Sequence, residues 1–216
     1  MYPRFSSKYS KKNRAFTTLE LIVVIATIAV LASLILPTFG KVKRSMYANQ
    51  SKIHFSRYVF GLNAYYREYG YFPQIVTQGT ALNADQIITL STTSSENLIR
   101  ALSGKDIDGD ALSSAHEYLN PNGTQFVEFS DDDFLKKSDG TIDYSILADR
   151  FNNRDIHLIV EDDSDDNAVI PQSAFNDTAY TTIKEKVPST GLREKVAIFT
   201  VGNNNTSIDV VSWKMD

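Results

Sequence analysis

Residues Leu21–Leu36 read LIVVIATIAVLASLIL, an apolar run broken only by Thr27 and Ser33. No other feature limits the fold of this chain as strongly. Residues 1–15 precede it, polar and with five basic residues and no acid. At about 1.5 Å of rise per residue the run gives roughly 24 Å of helix, against a hydrocarbon core of ~30 Å. Phe16 and Leu19 extend its apolar surface. Three readings compete: a membrane anchor, a cleaved signal peptide and a buried core helix. The basic flank and the scarcity of polar breaks disfavour the core helix. A signal peptide finds small residues at Val30-Leu31-Ala32, but a cut there falls inside the apolar run. It also leaves Glu20 at the start of a region that should be uncharged.

Helical spacing continues past Pro37, which removes one amide donor and is expected to kink the helix. Val42, Met46, Ile53, Val59, Phe60, Leu62, Tyr65, Tyr66 and Tyr69 recur at about helical intervals, with Lys and Arg on the other faces. Gly70, with Pro73 beyond it, is the natural stop. The spacing therefore predicts one helix from Phe16 to Tyr69, apolar all round in its first half and amphipathic in its second. Further on, Asn83–Ser103 reads as a helix. Thr124–Phe129, Ile156–Val160, Lys195–Val201 and Thr206–Trp213 read as strands, the last two joined by a turn at Gly202–Asn205. Asp131-Asp132-Asp133 reads as a helix start or an exposed turn.

Charge is unevenly spread. The formal net charge is −4, but residues 1–44 hold eight basic residues and one acid, and the remainder has a net charge of −11. That acidity argues against a nucleic-acid partner, because it repels phosphate backbones. There is no cysteine, which excludes disulfides, thiol nucleophiles and thiolate zinc sites. His54, His116 and His157 are scattered, with no metalloprotease spacing. No phosphate-binding loop, dinucleotide fingerprint or nucleophile elbow is present, so no enzyme is expected and no catalytic residue is assigned.

The junction reads Lys11-Lys12-Asn13-Arg14-Ala15-Phe16-Thr17-Thr18-Leu19-Glu20, followed by the apolar run and Pro37. It resembles the N-terminal segment of the type IV pilin and type II secretion pseudopilin superfamily. The resemblance implies that prepilin peptidase removes a basic leader between Ala15 and Phe16 and that the new Phe16 amine is methylated. It also implies that Glu20 pairs with the terminal amine of a neighbouring subunit during assembly, and that Pro37 is the family's proline near the end of the run. A carboxylate in an apolar helix is costly without a partner, which fits such a pair. Ala15 stands where the family usually has glycine, and Thr18 where it usually has leucine. Tyr65-Tyr66-Arg67-Glu68-Tyr69-Gly70-Tyr71-Phe72-Pro73 is similar to the end of the long helix in major pseudopilins. Asp149-Arg150-Phe151-Asn152-Asn153 and the ending Val196–Trp213 resemble later parts of that group more loosely. The lack of cysteine also agrees with pseudopilins.

Asp106, Asp108 and Asp110 alternate along a short loop, and Glu117 falls where a calcium loop would place its bidentate glutamate. These four residues are the candidate Ca2+ ligands. Ala111 stands where such a loop needs glycine, which favours a solvated acidic loop over a calcium site. Glu161–Asn167 is a second acidic stretch of the same kind.

The expected fold is α+β: a long N-terminal transmembrane α-helix packed on a small antiparallel β-sheet, pilin-like. The expected organisation is a leader at 1–15, a transmembrane and assembly helix at 16–37, its amphipathic continuation at 38–72 and a periplasmic globular domain at 73–216. The resemblance implies a subunit of a periplasmic fibre for type II protein secretion, in the bacterial inner membrane with its N-terminus cytoplasmic. Its partners would be other pilin or pseudopilin subunits, prepilin peptidase and an inner-membrane assembly platform. The alternatives are a type IV pilus subunit and, from another class, a secreted calcium-binding domain or enzyme behind a conventional signal peptide.

Overall fold

The computed structural model describes residues 17–76, 86–161, 169–202 and 208–213. The chain divides into two compact units, residues 1–43 and 44–216. The boundary falls inside helix α1 (Thr18–Tyr69), six residues beyond the expected limit at Pro37. The helix runs through position 37 without interruption. Its C-terminal end is at the expected glycine: Gly70 has φ of 78° and its amide donates to Tyr66 O at 2.8 Å. A left-handed residue closes a helix in this way without the steric penalty a side chain would add.

Among the described residues no helix is long and apolar enough to cross a membrane. This corrects the expectation of a transmembrane helix. The continuous apolar run ends at Leu36, about 24 Å of helix against a hydrocarbon core of ~30 Å, and Pro37, Thr38 and Gly40 follow it. The α+β class and the antiparallel sheet remain.

In the second unit α1 continues as the spine of the domain. Phe55, Tyr58, Leu62 and Tyr65 are fully buried, and their spacing of three and four puts them on one face. Helix α2 (Thr92–Ser103) packs with them through Leu98, Ile99 and Leu102. Four strands form the main sheet, in the order β1 (Ile88–Thr89), β4 (Ile156–Val160), β5 (Val196–Thr200) and β6 (Val210–Val211), all antiparallel. Ile156 faces Thr200 and Val160 faces Val196 across the central pair. Alternation along β4 sends Ile156, Leu158 and Val160 to the helical side and Ile159 to the other. That other side is covered by Phe175 from a short 3-10 turn, by Ile183 from helix α3 (Thr181–Lys184), and by Val187 and Trp213. Both faces of the sheet are therefore covered, which is why β4 and β5 are uninterrupted runs of buried residues. A separate hairpin, β2 (Phe134–Lys136) with β3 (Ile142–Leu147), adds Phe134 and Leu147 to the helical-side core.

Two of the expected elements differ. The segment read as one helix over Asn83–Ser103 contains strand β1, and α2 begins only after Ser91. There Ser91 and Ser94 form a reciprocal cap: Ser94 N donates to Ser91 Oγ and Ser91 N to Ser94 Oγ. Thr124–Phe129 is not a strand, because Phe126 and Val127 both donate their amides to Leu102 O, at the end of α2. Ile156–Val160 is a strand over the expected residues, and the two later strands lie inside their expected ranges.

Candidate functional site

The apolar run of α1 presents one chemically uniform surface. Leu19, Leu21, Ile22, Val23, Val24, Ile25, Ile28, Val30, Leu31 and Ile35 are each between 46% and 72% exposed. Consecutive residues from Leu21 to Ile25 are all exposed, so the apolar surface covers every side of the helix and forms no stripe. The hydroxyls within it are satisfied by their own helix: Thr27 Oγ1 donates to Val24 O at 2.8 Å and Ser33 Oγ to Val30 O at 2.7 Å. Such a surface in water is costly, and its burial needs material from outside the unit.

Glu20 lies in the first turn of α1, where it completes a capping box. Thr17 N and Thr17 Oγ1 donate to Glu20 Oε2 at 2.8 and 3.0 Å, and Glu20 N donates to Thr17 Oγ1 at 3.2 Å. The Thr17 amide first, and its hydroxyl next, hold the Glu20 carboxyl below the usual range. This cap was legible as Thr-x-x-Glu ahead of an apolar run, a signal the family resemblance obscured. Ala15 and Phe16, the expected processing residues, lie outside the described residues.

The calcium candidates are placed as follows. Asp106 Oδ1 accepts from Arg100 Nε at 2.7 Å and from the Ile107 amide at 2.9 Å, and His116 Nδ1 is 3.4 Å from Oδ2. Burial opposes ionisation of Asp106, but Arg100 and the Ile107 amide outweigh it and lower its pKa. Asp108 Oδ1 accepts from the Asp110 amide at 3.3 Å, and the loop is closed by Asp106 N donating to Asp110 O. Asp108, Asp110 and Glu117 are exposed, with Glu117 opening a 3-10 turn. Among the described residues no three or more His, Asp or Glu side chains are grouped to hold a metal ion. In the second acidic stretch Glu161 is buried and 162–168 lie outside the described residues.

Sequence reading missed the strongest electrostatic feature of the domain. Asp133, the last residue of the Asp131–Asp133 turn, is fully buried. Its Oδ1 accepts from the Tyr58 hydroxyl at 2.5 Å and pairs with Arg57, with His54 Nδ1 2.8 Å away. Its Oδ2 accepts from Ser130 N at 2.7 Å and Ser130 Oγ at 2.8 Å. Burial alone would raise its pKa, but the His54, Tyr58 and Ser130 donors hold it far below the carboxylate range. Asp133 thereby ties two successive turns of α1 to the loop before β2. A second buried carboxylate, Asp149, accepts from Phe151 N, Asn153 N and Thr200 Oγ1 at 2.8, 2.9 and 3.0 Å. It fixes a turn in which Asn152 has φ of 63°. This is the turn read loosely from Asp149–Asn153. Its network differs from that of Asp133 in lacking a basic side chain, and here burial prevails and raises the pKa.

No family model, curated protein or solved structure matches the chain.

Proposed function

We propose that the chain is a pseudopilin-like structural subunit that polymerises into a periplasmic fibre for type II protein secretion. The observation that supports this reading best is the all-round exposed apolar surface of Leu19–Ile35, carried on a helix that continues as the spine of a globular domain. Copies packing their apolar segments against one another would remove that surface from water, at about 25 cal/mol per Å2 buried. In this reading prepilin peptidase cuts between Ala15 and Phe16, and Glu20 pairs with the Phe16 amine of the neighbouring copy. Pro37 lies near the end of the packed segment. Removal of residues 1–15 takes away five positive charges and leaves the processed chain at −9.

The test is intact mass and N-terminal sequence of the chain expressed with a prepilin peptidase. The expected product begins at Phe16 and is one methyl group heavier. A soluble chain beginning at Ser33 would refute the reading and support an ordinary signal peptide. Co-assembly with a tagged copy then separates the two duties of Glu20. Glu20→Ala removes both the charge and the cap, whereas Thr17→Val removes the capping hydroxyl and keeps the charge. Loss of co-assembly with Glu20→Ala and its retention with Thr17→Val is the expected pattern.

A further inference from the structure

A groove of about 470 Å3 opens between the loop after α2 and the β2–β3 hairpin, within the size range of ligand sites. Its apolar wall includes Phe129, Phe134 and Tyr144, with ring centroids 6.0 Å apart for the first pair and 5.2 Å for the second. Its polar wall includes Asp108, Glu128 and Asp131, all exposed. Tyr144 is 47% exposed although a hairpin beside a core could have buried it, and its hydroxyl donates to Asp131 Oδ1 at 3.2 Å. That bond holds a phenol ring and a carboxylate together at the groove. Lys105 is the one cation among the described lining residues, and Arg100 already engages the fourth carboxylate, Asp106.

Aromatic rings beside carboxylates that have no ion pair among the described residues favour one chemistry. A cation on an apolar stem gains from the carboxylates through charge and from the ring faces through cation–π attraction, while its stem covers the apolar wall. The same carboxylates repel phosphates, which disfavours nucleic acids and anionic lipid surfaces. The groove is also larger than one side chain needs. We propose that it docks a basic segment of a partner polypeptide, seating an arginine or lysine side chain against Tyr144 and Phe134 with its charge toward Asp131 and Glu128. This goes beyond the fibre reading and does not depend on it, since every residue involved lies in the second unit.

The test is fluorescence anisotropy of a labelled acetyl-Gly-Arg-Gly-Arg-Gly amide titrated with the full chain. Saturable binding is expected, weakened at least tenfold when citrulline replaces both arginines and weakened progressively by added salt. Asp131→Asn combined with Glu128→Gln, and separately Tyr144→Leu, should each lower affinity at least fivefold. Both substitutions fall at exposed positions, and an unchanged urea midpoint would show that the fold is intact. Absence of binding at millimolar chain would overturn the proposal, as would equal affinity for the citrulline peptide. So would free arginine amide binding as tightly as the peptide, which would make this a small-cation pocket, and so would variants that bind like the native chain. None of these outcomes bears on processing at Phe16.

Discussion

Replacing Asp133 by asparagine changes almost no volume and tests whether the buried carboxylate holds α1 in the domain. The groups around Asp133 include two that can only donate, the Arg57 guanidinium at Oδ1 and the Ser130 amide at Oδ2. Whichever way an asparagine amide turns, its NH2 meets one of them, so one donor loses its acceptor. Breaking a buried charge pair by removing one partner costs about 3–5 kcal/mol. Arg57 is partly exposed and recovers some hydration, so the lower end, ~3 kcal/mol, is expected for Asp133→Asn. In a domain of this size that corresponds to a fall in Tm of about 6–12 °C. Tyr58→Phe removes a single donor from the same carboxylate and should cost about 1.5–3 kcal/mol. Trp213 is the only tryptophan, is buried, and lies in the core beyond the sheet, so its fluorescence reports unfolding of the second unit. Urea titrations read by that signal should show a lower midpoint with an unchanged slope. The pH dependence has a definite sign. The folded-state pKa of Asp133 is depressed, so its contribution is complete above the ordinary carboxylate value of about 4 and is lost as pH falls below it. The gap between native and Asp133→Asn should therefore be full at pH 7 and narrow toward pH 3. A difference under 1 kcal/mol at pH 7, or one that stays constant down to pH 3, would refute this account of Asp133.

Two other sites give independent tests. Thr200→Val keeps the buried shape in β5 but removes the donor to Asp149 Oδ2. It should cost ~1–3 kcal/mol by urea denaturation at pH 7, with less lost near pH 3, where the raised pKa of Asp149 leaves more of it protonated. Gly104 closes α2 at φ of 68°, and a Cβ there would stand 2.4 Å from Gly123 O, so Gly104→Ala should lower stability by more than ~2 kcal/mol; a loss under 0.5 kcal/mol would mean the two backbones can separate freely.

What the sequence revealed depended on whether one physical signal acted alone. The apolar run, its amphipathic continuation and Gly70 all point to α1, and the helix is there. Ile156–Val160 was legible because a strand covered on both faces is apolar on both, here at every position but His157. Ile87 and Ile88 were misread because a short apolar pair fits a helix or a strand equally, and only the pairing of Ile88 with Leu158 decides it. The Thr124–Phe129 segment looked extended and largely is, but its amides close the end of α2 and join no ladder. In Asp131–Asp133 nothing in the sequence tells which of three adjacent aspartates turns inward. That choice is made by Arg57 and Tyr58, more than seventy residues earlier in the chain. The aromatic groove was equally hidden, since Phe129, Phe134 and Tyr144 meet only through the hairpin fold.

The apolar run of α1 is not explained by the stability of the domain. Every buried apolar residue among those described lies between Phe55 and Trp213, so the core is complete without a contribution from Leu19–Ile35. The polar groups of the run show a second regularity: Glu20, Thr27 and Ser33 each bond within their own helix. In water those bonds would add little, because solvent could satisfy the same groups. In a dry packed interface each would spare an unsatisfied polar group costing ~1–3 kcal/mol. The Thr17–Glu20 cap has the same logic, since the first amides of a helix have no partner inside it. Glu20 would therefore have a duty in a dry interface even before any neighbouring amine is considered, and loss of assembly in Glu20→Ala would not by itself establish pairing between subunits. Thr17→Val provides the distinction. If it assembles normally while Glu20→Ala does not, assembly requires the Glu20 carboxylate and not the capping hydroxyl; if both fail alike, loss of the cap by itself accounts for the failure of Glu20→Ala.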